Sequence, residues 1–100
     1  MHDSDLRINL LLSLQRALLG MVYHSIRAII VEYEGLQFLR VTAYLDREPE
    51  DSDYENLSEV TSNVLADLNF QKVEEVCLYF ADSLSNIKNK GIWIYERKED

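Results

Sequence analysis

The stretch HSIRAIIVEYEGLQFLRVTAYLD, residues 24–46, determines the fold class that the sequence predicts. Both halves are rich in Ile, Val, Tyr and Phe, and Glu34-Gly35 lies between them as a two-residue turn with a glycine. This pattern predicts a β-hairpin with strands His24 to Tyr33 and Leu36 to Asp46. In the register that such a turn imposes, one face is uniformly apolar and suits a core. That face comprises Ile26, Ala28, Ile30, Leu39, Val41 and Ala43.

Helices and further strands flank this hairpin. Apolar residues at helical spacing predict one helix over Ser4 to Met21 and another from about Asp53 to Leu68. Alternating patterns predict strands at Lys72 to Ala81 and Ile92 to Arg97. The order αββαββ predicts a single α+β domain over residues 1–100. We expect a two-layer sandwich, with a four-stranded, mainly antiparallel sheet and both helices on one face. The third strand can lie beside the first or the second.

The second face of the predicted sheet is left open, and its composition is unusual for a solvated surface. Val76, Leu78 and Phe80 are assigned to the core side of the third strand, so the opposite side mixes aromatic, aliphatic and arginine side chains. Such residues dominate protein-interface hot spots, which favours a foreign partner or homodimerisation over simple tolerance of water. The residues assigned to this face are Tyr33, Phe38, Arg40, Tyr44, Tyr79, Trp93 and Tyr95.

The charge is a second functional signal. Eighteen Asp and Glu against ten Lys and Arg give a net charge of −8, which repels nucleic acid and anionic membranes but attracts a basic protein. Between Asp46 and Glu59, seven acids accompany one basic residue, Arg47. This segment is either a solvated linker or a contact for a basic surface. The candidate partner-binding acids are Glu48, Glu50, Asp51, Asp53, Glu55 and Glu59.

Residues that could perform catalysis or hold a metal are few and scattered. His2, His24 and Cys77 do not have zinc-ligand spacing, and the three glycines are too dispersed for a phosphate-binding loop. The acidic segment lacks the central glycine and closing glutamate of an EF-hand. The sequence therefore predicts a protein that is not an enzyme and needs no cofactor or metal.

Three features predict a cytoplasmic location. The single cysteine excludes an intramolecular disulfide, as is usual in a reducing compartment. The acidic N-terminus lacks the basic region of a signal peptide. The longest apolar stretch, Leu10 to Val22, is interrupted by polar residues and is too short to span a bilayer.

Several segments together resemble a known group of small bacterial α+β proteins. They are Leu6-Arg7 to Leu19-Gly20, Ile26-Arg27-Ala28, the acidic second helix, and Trp93-Ile94-Tyr95-Glu96-Arg97. The chain resembles immunity proteins of contact-dependent growth inhibition and related toxin systems. The resemblance implies an acidic inhibitor that binds and neutralises a cognate toxin domain, often a basic nuclease, inside the cell that makes both. It implies no catalytic residue.

Two other classes compete with an immunity protein. An acidic, dimeric secretion chaperone would hold an unfolded segment on apolar patches. An enzyme subunit or small-molecule sensor would need a pocket that the sequence does not reveal. An immunity protein should bind a folded toxin with salt-sensitive association, whereas a chaperone should bind an extended segment with little dependence on salt.

Overall fold

A computed structural model describes residues 2–99 of the predicted 1–100 domain; Met1 and Asp100 lie outside the described residues. The elements are helix α1 (Asp3–Ala17), strands β1 (Ile26–Glu34) and β2 (Phe38–Leu45), helix α2 (Asp51–Asp67), and strands β3 (Val73–Tyr79) and β4 (Ile92–Glu96). One sheet contains the four strands. Two of its three pairings, β1–β2 and β1–β4, are antiparallel, and β2–β3 is parallel. The predicted α+β class, the αββαββ order and the mainly antiparallel sheet are confirmed.

The strand order is β3-β2-β1-β4, so the third strand lies beside the second. Because β2 and β3 run parallel, the chain must cross from one end of the sheet to the other between them. Helix α2 provides this crossover. As a result, β3 and β4 lie at opposite edges of the sheet, and the chain that joins them has to pass across it.

Both helices pack on one face of the sheet and form the main core. Leu6, Leu10 and Leu14 recur every four positions in α1 and are at most 3% exposed. Val60 and Val64 of α2 are buried in the same cluster. This spacing places each set along one helix face, as packing onto a sheet requires. The strands contribute Ile29, Val31, Leu39, Val41, Ala43 and Leu45 to this core.

The hairpin turn is one residue longer than predicted. Glu34 pairs with Phe38, which leaves residues 35–37 as a three-residue loop. The Gln37 amide donates a hydrogen bond of 3.1 Å to the Glu34 carbonyl. Gly35 has a φ of 52°, a left-handed conformation that glycine adopts without steric cost. The predicted two-residue turn Glu34-Gly35 is therefore wrong, and β1 is displaced along β2 by an odd number of residues.

An odd displacement exchanges the two faces of a strand. Ile29 and Val31 face the helices, whereas Ala28 and Ile30, which the sequence assigned to that side, lie on the second face of the sheet. Ile26 still reaches the main core because a β-bulge lies between Ile26 and Ala28. The predicted core face of β2 is confirmed.

The faces of β3 are also opposite to the prediction. Cys77 belongs to the main core, whereas Leu78 and Phe80 pack on the second face. The charged residue Glu75 points towards α2, where the Ser58 hydroxyl donates to it at 3.0 Å and the Thr61 hydroxyl also donates. These hydroxyls compensate a carboxylate that the sequence pattern placed in solvent. The predicted core face Val76, Leu78 and Phe80 is therefore wrong.

The second face of the sheet is covered in part by the chain itself. Residues 80–91, here called the connector, run from the β3 edge to the β4 edge and contain a short 3₁₀ helix, Leu84–Ile87. Ile87 is 4% exposed and belongs to a second cluster with Ala28, Ile30 and Tyr44. The prediction that this face is open is wrong over the area that the connector covers.

The two ends of the connector are held by specific contacts. Arg27, at the β-bulge, donates to the Phe80 carbonyl and, at 2.7 Å, to the Asp82 carbonyl. Its remaining guanidinium N–H groups bind both carboxylate oxygens of Glu99 at 2.8 Å. At the far end, a Cβ at Gly91 would lie 2.6 Å from the Val31 carbonyl oxygen, so only glycine fits there. The connector is thus a packed layer and not a loose loop.

Replacing Ile87 with Ala should lower the free energy of unfolding by about 2 kcal/mol, because it leaves a cavity between connector and sheet. Urea denaturation measures this difference. Asn86→Ala, at an exposed neighbouring position, is the control and should change the value by less than about 0.5 kcal/mol. Equal stabilities of the two variants would show that the connector does not pack on the sheet.

Candidate protein-binding surfaces

A buried carboxylate fixes the N-terminus of α2. Asp53 is 2% exposed and accepts two hydrogen bonds from the Arg47 guanidinium, at 2.7 and 2.9 Å. It also accepts from the Glu50 amide at 2.7 Å and from the Tyr23 hydroxyl. Together with the Glu50 side chain, this arrangement forms a capping box that satisfies amides in the first turn of the helix. Asp53 therefore lies inside the protein and not on the acidic surface with which the sequence grouped it.

The same contacts explain the protonation states of this cluster. Hydrogen bonds from Arg47 are the main cause that lowers the pKa of Asp53 from 3.8 to about 2. Burial, and then the Asp53 carboxylate, raise the pKa of Tyr23 to about 12. At neutral pH Asp53 is thus charged and Tyr23 is a neutral donor. The cluster links α2 to the segment after α1 and to the β2–α2 loop.

The other acids of the predicted segment are exposed. Asp51, Glu55 and Glu59 follow one another at intervals of four along α2, so they form one row on a single helix face, here called the acidic row. Glu48 and Glu50 extend this row beyond the start of the helix and are exposed too. No ion pair among residues 2–99 involves any of these five carboxylates. Their charge is directed at solvent, and their role in binding stays a prediction.

Three of the aromatic residues assigned to an open sheet face lie elsewhere. Tyr33 and Tyr95 pack against the main core on the helix side, and the Tyr33 hydroxyl contacts Asp3 of α1 at 3.3 Å. Tyr44 is on the second face but is only 8% exposed, because it packs edge-on against Phe80 with ring centres 5.5 Å apart. The prediction that these three tyrosines form an exposed surface is wrong.

The remaining residues of that predicted face are partly accessible. Arg40 stacks over the Phe38 ring at 5.2 Å and forms a 2.9 Å ion pair with Glu74. Trp93 is half-buried, and its indole N–H donates to a connector carbonyl at 3.2 Å. Tyr79, the last residue of β3, is exposed. Arg40 and Phe38 lie together on β2, whereas Tyr79 and Trp93 lie on the opposite edge strands β3 and β4. The part of these side chains in binding stays a prediction.

An exposed apolar surface that the sequence interpretation missed lies on α1. Ile8 and Leu12 are 57% and 53% exposed, and Leu19, in the turn after the helix, is 78% exposed. Their spacing places them together on the side opposite the buried Leu10 and Leu14. We call these three residues the α1 stripe. The signal was present in the sequence, because Ile8 and Leu12 fall outside the helix face that Leu6, Leu10 and Leu14 share, whereas a helix with only one packed face has a polar opposite side.

The α1 stripe and the acidic row face the same side of the molecule. Leu12 lines a shallow groove together with Ala66 and Asp67, near the C-terminal end of α2. Ala66 follows Glu59 by seven positions and so shares its helix face. Asp67 holds α1 in place by accepting from the Ser13 hydroxyl at 2.7 Å. The outer surface of the helical layer therefore combines an apolar strip with a row of free carboxylates.

No group of three or more His, Cys, Asp and Glu side chains within residues 2–99 is arranged to hold a metal ion. Neither helix of this part of the chain is long and apolar enough to cross a membrane. Burial raises the pKa of the Cys77 thiol to about 11, so this residue is protonated at neutral pH.

Comparison with known families gives a match. A family model described as "MafI2 immunity protein" matches residues 7–99. The matched region includes both helices almost completely and all four strands. None of the curated proteins is detectably similar in sequence to this chain.

Replacing Asp53 with Asn should lower the free energy of unfolding at pH 7 by about 2 kcal/mol, because it removes one partner of a largely buried ion pair. The pKa of Asp53 is lower in the folded chain than the ordinary 3.8. Its charge therefore stabilises the fold at pH values above 3.8. This contribution is lost as the pH falls towards 2. The stability difference between the two proteins should therefore shrink between about pH 5 and pH 2.

Urea denaturation at several pH values measures this dependence. Glu55→Gln is a suitable control because it neutralises an exposed acid of the same helix, and its effect should stay within about 0.5 kcal/mol. A difference between wild type and Asp53→Asn that stays constant down to pH 2 would contradict the structural role of the Asp53 charge.

Proposed function

This chain belongs to the MafI2 immunity protein family, and we propose that it neutralises a cognate toxin domain by binding to it directly. The family match over residues 7–99 is the observation that carries this proposal, and it favours an immunity protein over a secretion chaperone. The protein acts by occupying or blocking the toxin and performs no reaction of its own. It meets the toxin in the cytoplasm. Assignment to a contact-dependent system stays a prediction, as does homodimerisation.

The charge distribution supports a basic toxin as the partner. The acidic row and the adjoining Glu48 and Glu50 present five carboxylates that no cation of residues 2–99 neutralises. The net charge of −8 strengthens the field around them. Such a surface attracts a basic protein over long distances and raises the rate of association.

A nuclease is the toxin class that this surface fits best. An enzyme that acts on a polyanion needs a basic substrate groove, because phosphate contacts supply much of the binding free energy. Asp51, Glu55 and Glu59 present repeated negative charges along one helix face, as a nucleic-acid backbone does along one strand. The acidic row can therefore bind in or beside such a groove and exclude the substrate.

Neutralising the acidic row should slow association with the toxin. In the triple variant Asp51→Asn, Glu55→Gln, Glu59→Gln, the association rate constant at low salt should fall by about 10-fold. The difference should largely disappear in 0.5 M salt, because the Debye length is then only a few ångströms. Stopped-flow mixing with the product of the gene next to this one, tested as the candidate toxin, measures the rate, and co-expression measures protection.

A matched control removes the same net charge elsewhere. Glu34→Gln, Asp82→Asn and Glu96→Gln alter three exposed acids that lie outside the acidic row. Measured at the same low salt, this control should retain an association rate within about threefold of wild type, because a charge close to the contact surface attracts the toxin more strongly than a distant one. Equal slowing by both triple variants would show that net charge alone accelerates binding. A wild-type protein that neither binds the toxin nor protects against it would refute the proposed function.

A further inference from the structure

The α1 stripe has no structural role in the chain that exposes it. Leu19, Ile8 and Leu12 are the three most exposed large hydrophobic side chains among residues 2–99. The helix cannot rotate to bury them, because Leu10 and Leu14 are completely buried on its other side. Soluble proteins rarely expose a contiguous apolar patch without a contact to cover it. The stripe is therefore a surface built to be covered by another molecule.

We propose that the α1 stripe is the apolar centre of the toxin interface and that the acidic row forms its charged rim. This inference rests on the proposed function and specifies how the complex is held together. Stable interfaces have this anatomy, with a desolvated apolar core from which charges are depleted and a polar rim around it. Leu12 and Ala66 line one groove together with the exposed Arg16–Asp67 ion pair, so the stripe adjoins the helix that carries the row.

Charge complementarity identifies the occupant as a basic protein domain and not a second copy of this chain. The stripe and the acidic row face the same side, so any partner that covers the stripe comes close to the negative charge of the row. Each copy also has a net charge of −8, and like charges across an interface oppose association. A toxin domain with an apolar patch ringed by Lys and Arg satisfies both parts of the surface.

The two parts have different kinetic roles. Long-range attraction by the acidic row accelerates the encounter but depends strongly on salt. Burial of apolar side chains acts only after contact, so the α1 stripe determines how slowly the complex dissociates. Variants of the stripe should therefore change the dissociation rate constant, whereas variants of the row should change the association rate constant.

The decisive variants are Leu12→Ser and the double variant Leu12→Ser, Leu19→Ser. Leu65→Ser is the matched control, because Leu65 is also exposed but follows Tyr54 and Ser58 on the side of α2 that contacts β3. Surface plasmon resonance with the same candidate toxin, the product of the gene next to this one, is the measurement. The double variant should dissociate at least about 30-fold faster than wild type, with an association rate at low salt within about threefold.

The control Leu65→Ser should change neither rate constant by more than about threefold, and an unchanged urea midpoint of each variant establishes that the fold is intact. If wild type binds the toxin and the double variant dissociates equally slowly, this inference fails while the proposed function stands. Analytical ultracentrifugation tests whether a second copy of this chain covers the stripe. The stripe would be assigned to a second copy if wild type is a dimer and the double variant is a monomer that still binds the toxin. Failure of wild type itself to bind the toxin would refute the proposed function and this inference together.

Discussion

The arrangement of the whole molecule depends on a central strand that is buried on both faces. Ala28, Ile29, Ile30 and Val31 are consecutive residues of β1 and are at most 2% exposed. Since successive side chains of a strand point to opposite faces, each side of β1 needs its own covering layer. The two helices cover one side and the connector covers the other. Because β3 and β4 lie at opposite edges of the sheet, the connector that joins them crosses the second face and covers β1 there.

This layering leaves the outer faces of the two helices uncovered. The sheet adds little to the uncovered surface, because one of its faces packs against the helices and part of its second face lies beneath the connector. Helix α1 is held by its contacts with Asp67, and helix α2 is held by the buried Asp53 cluster. Both helices therefore present their outer residues from fixed positions. An inhibitor benefits from such rigidity because little conformational entropy is lost on binding.

An immunity protein has to bind its toxin before the toxin acts and has to remain bound. These needs are met by different interactions, since electrostatic attraction accelerates encounters and buried apolar contact slows dissociation. In our proposal the outer helical surface provides both, with the acidic row on α2 and the α1 stripe beside it. Membership of the MafI2 immunity protein family supplies the biological setting in which this combination is useful.

The sequence by itself determined the order of the elements, the fold class and the acidic character of α2, because helical and strand periodicities are local properties. It also indicated an immunity protein through the resemblance of several segments. It did not reveal which face of β1 or β3 meets the helices, because both faces of these strands are apolar and alternation alone does not distinguish them. For β1 the choice followed from a turn one residue longer than predicted. For β3 it followed from the register of the parallel pairing with β2.

For the candidate binding surfaces, too, the sequence shows some features and only the folded structure decides the others. The exposed acids were recognisable from composition, but the burial of Asp53 depends on Arg47 and Tyr23, which approach it only in the folded chain. Likewise, the many apolar residues of α1 did not show which of them would stay exposed. Burial is decided by what packs against a residue, and those neighbours come from distant parts of the chain. Only the tertiary structure could therefore separate the core leucines of α1 from the stripe that faces solvent.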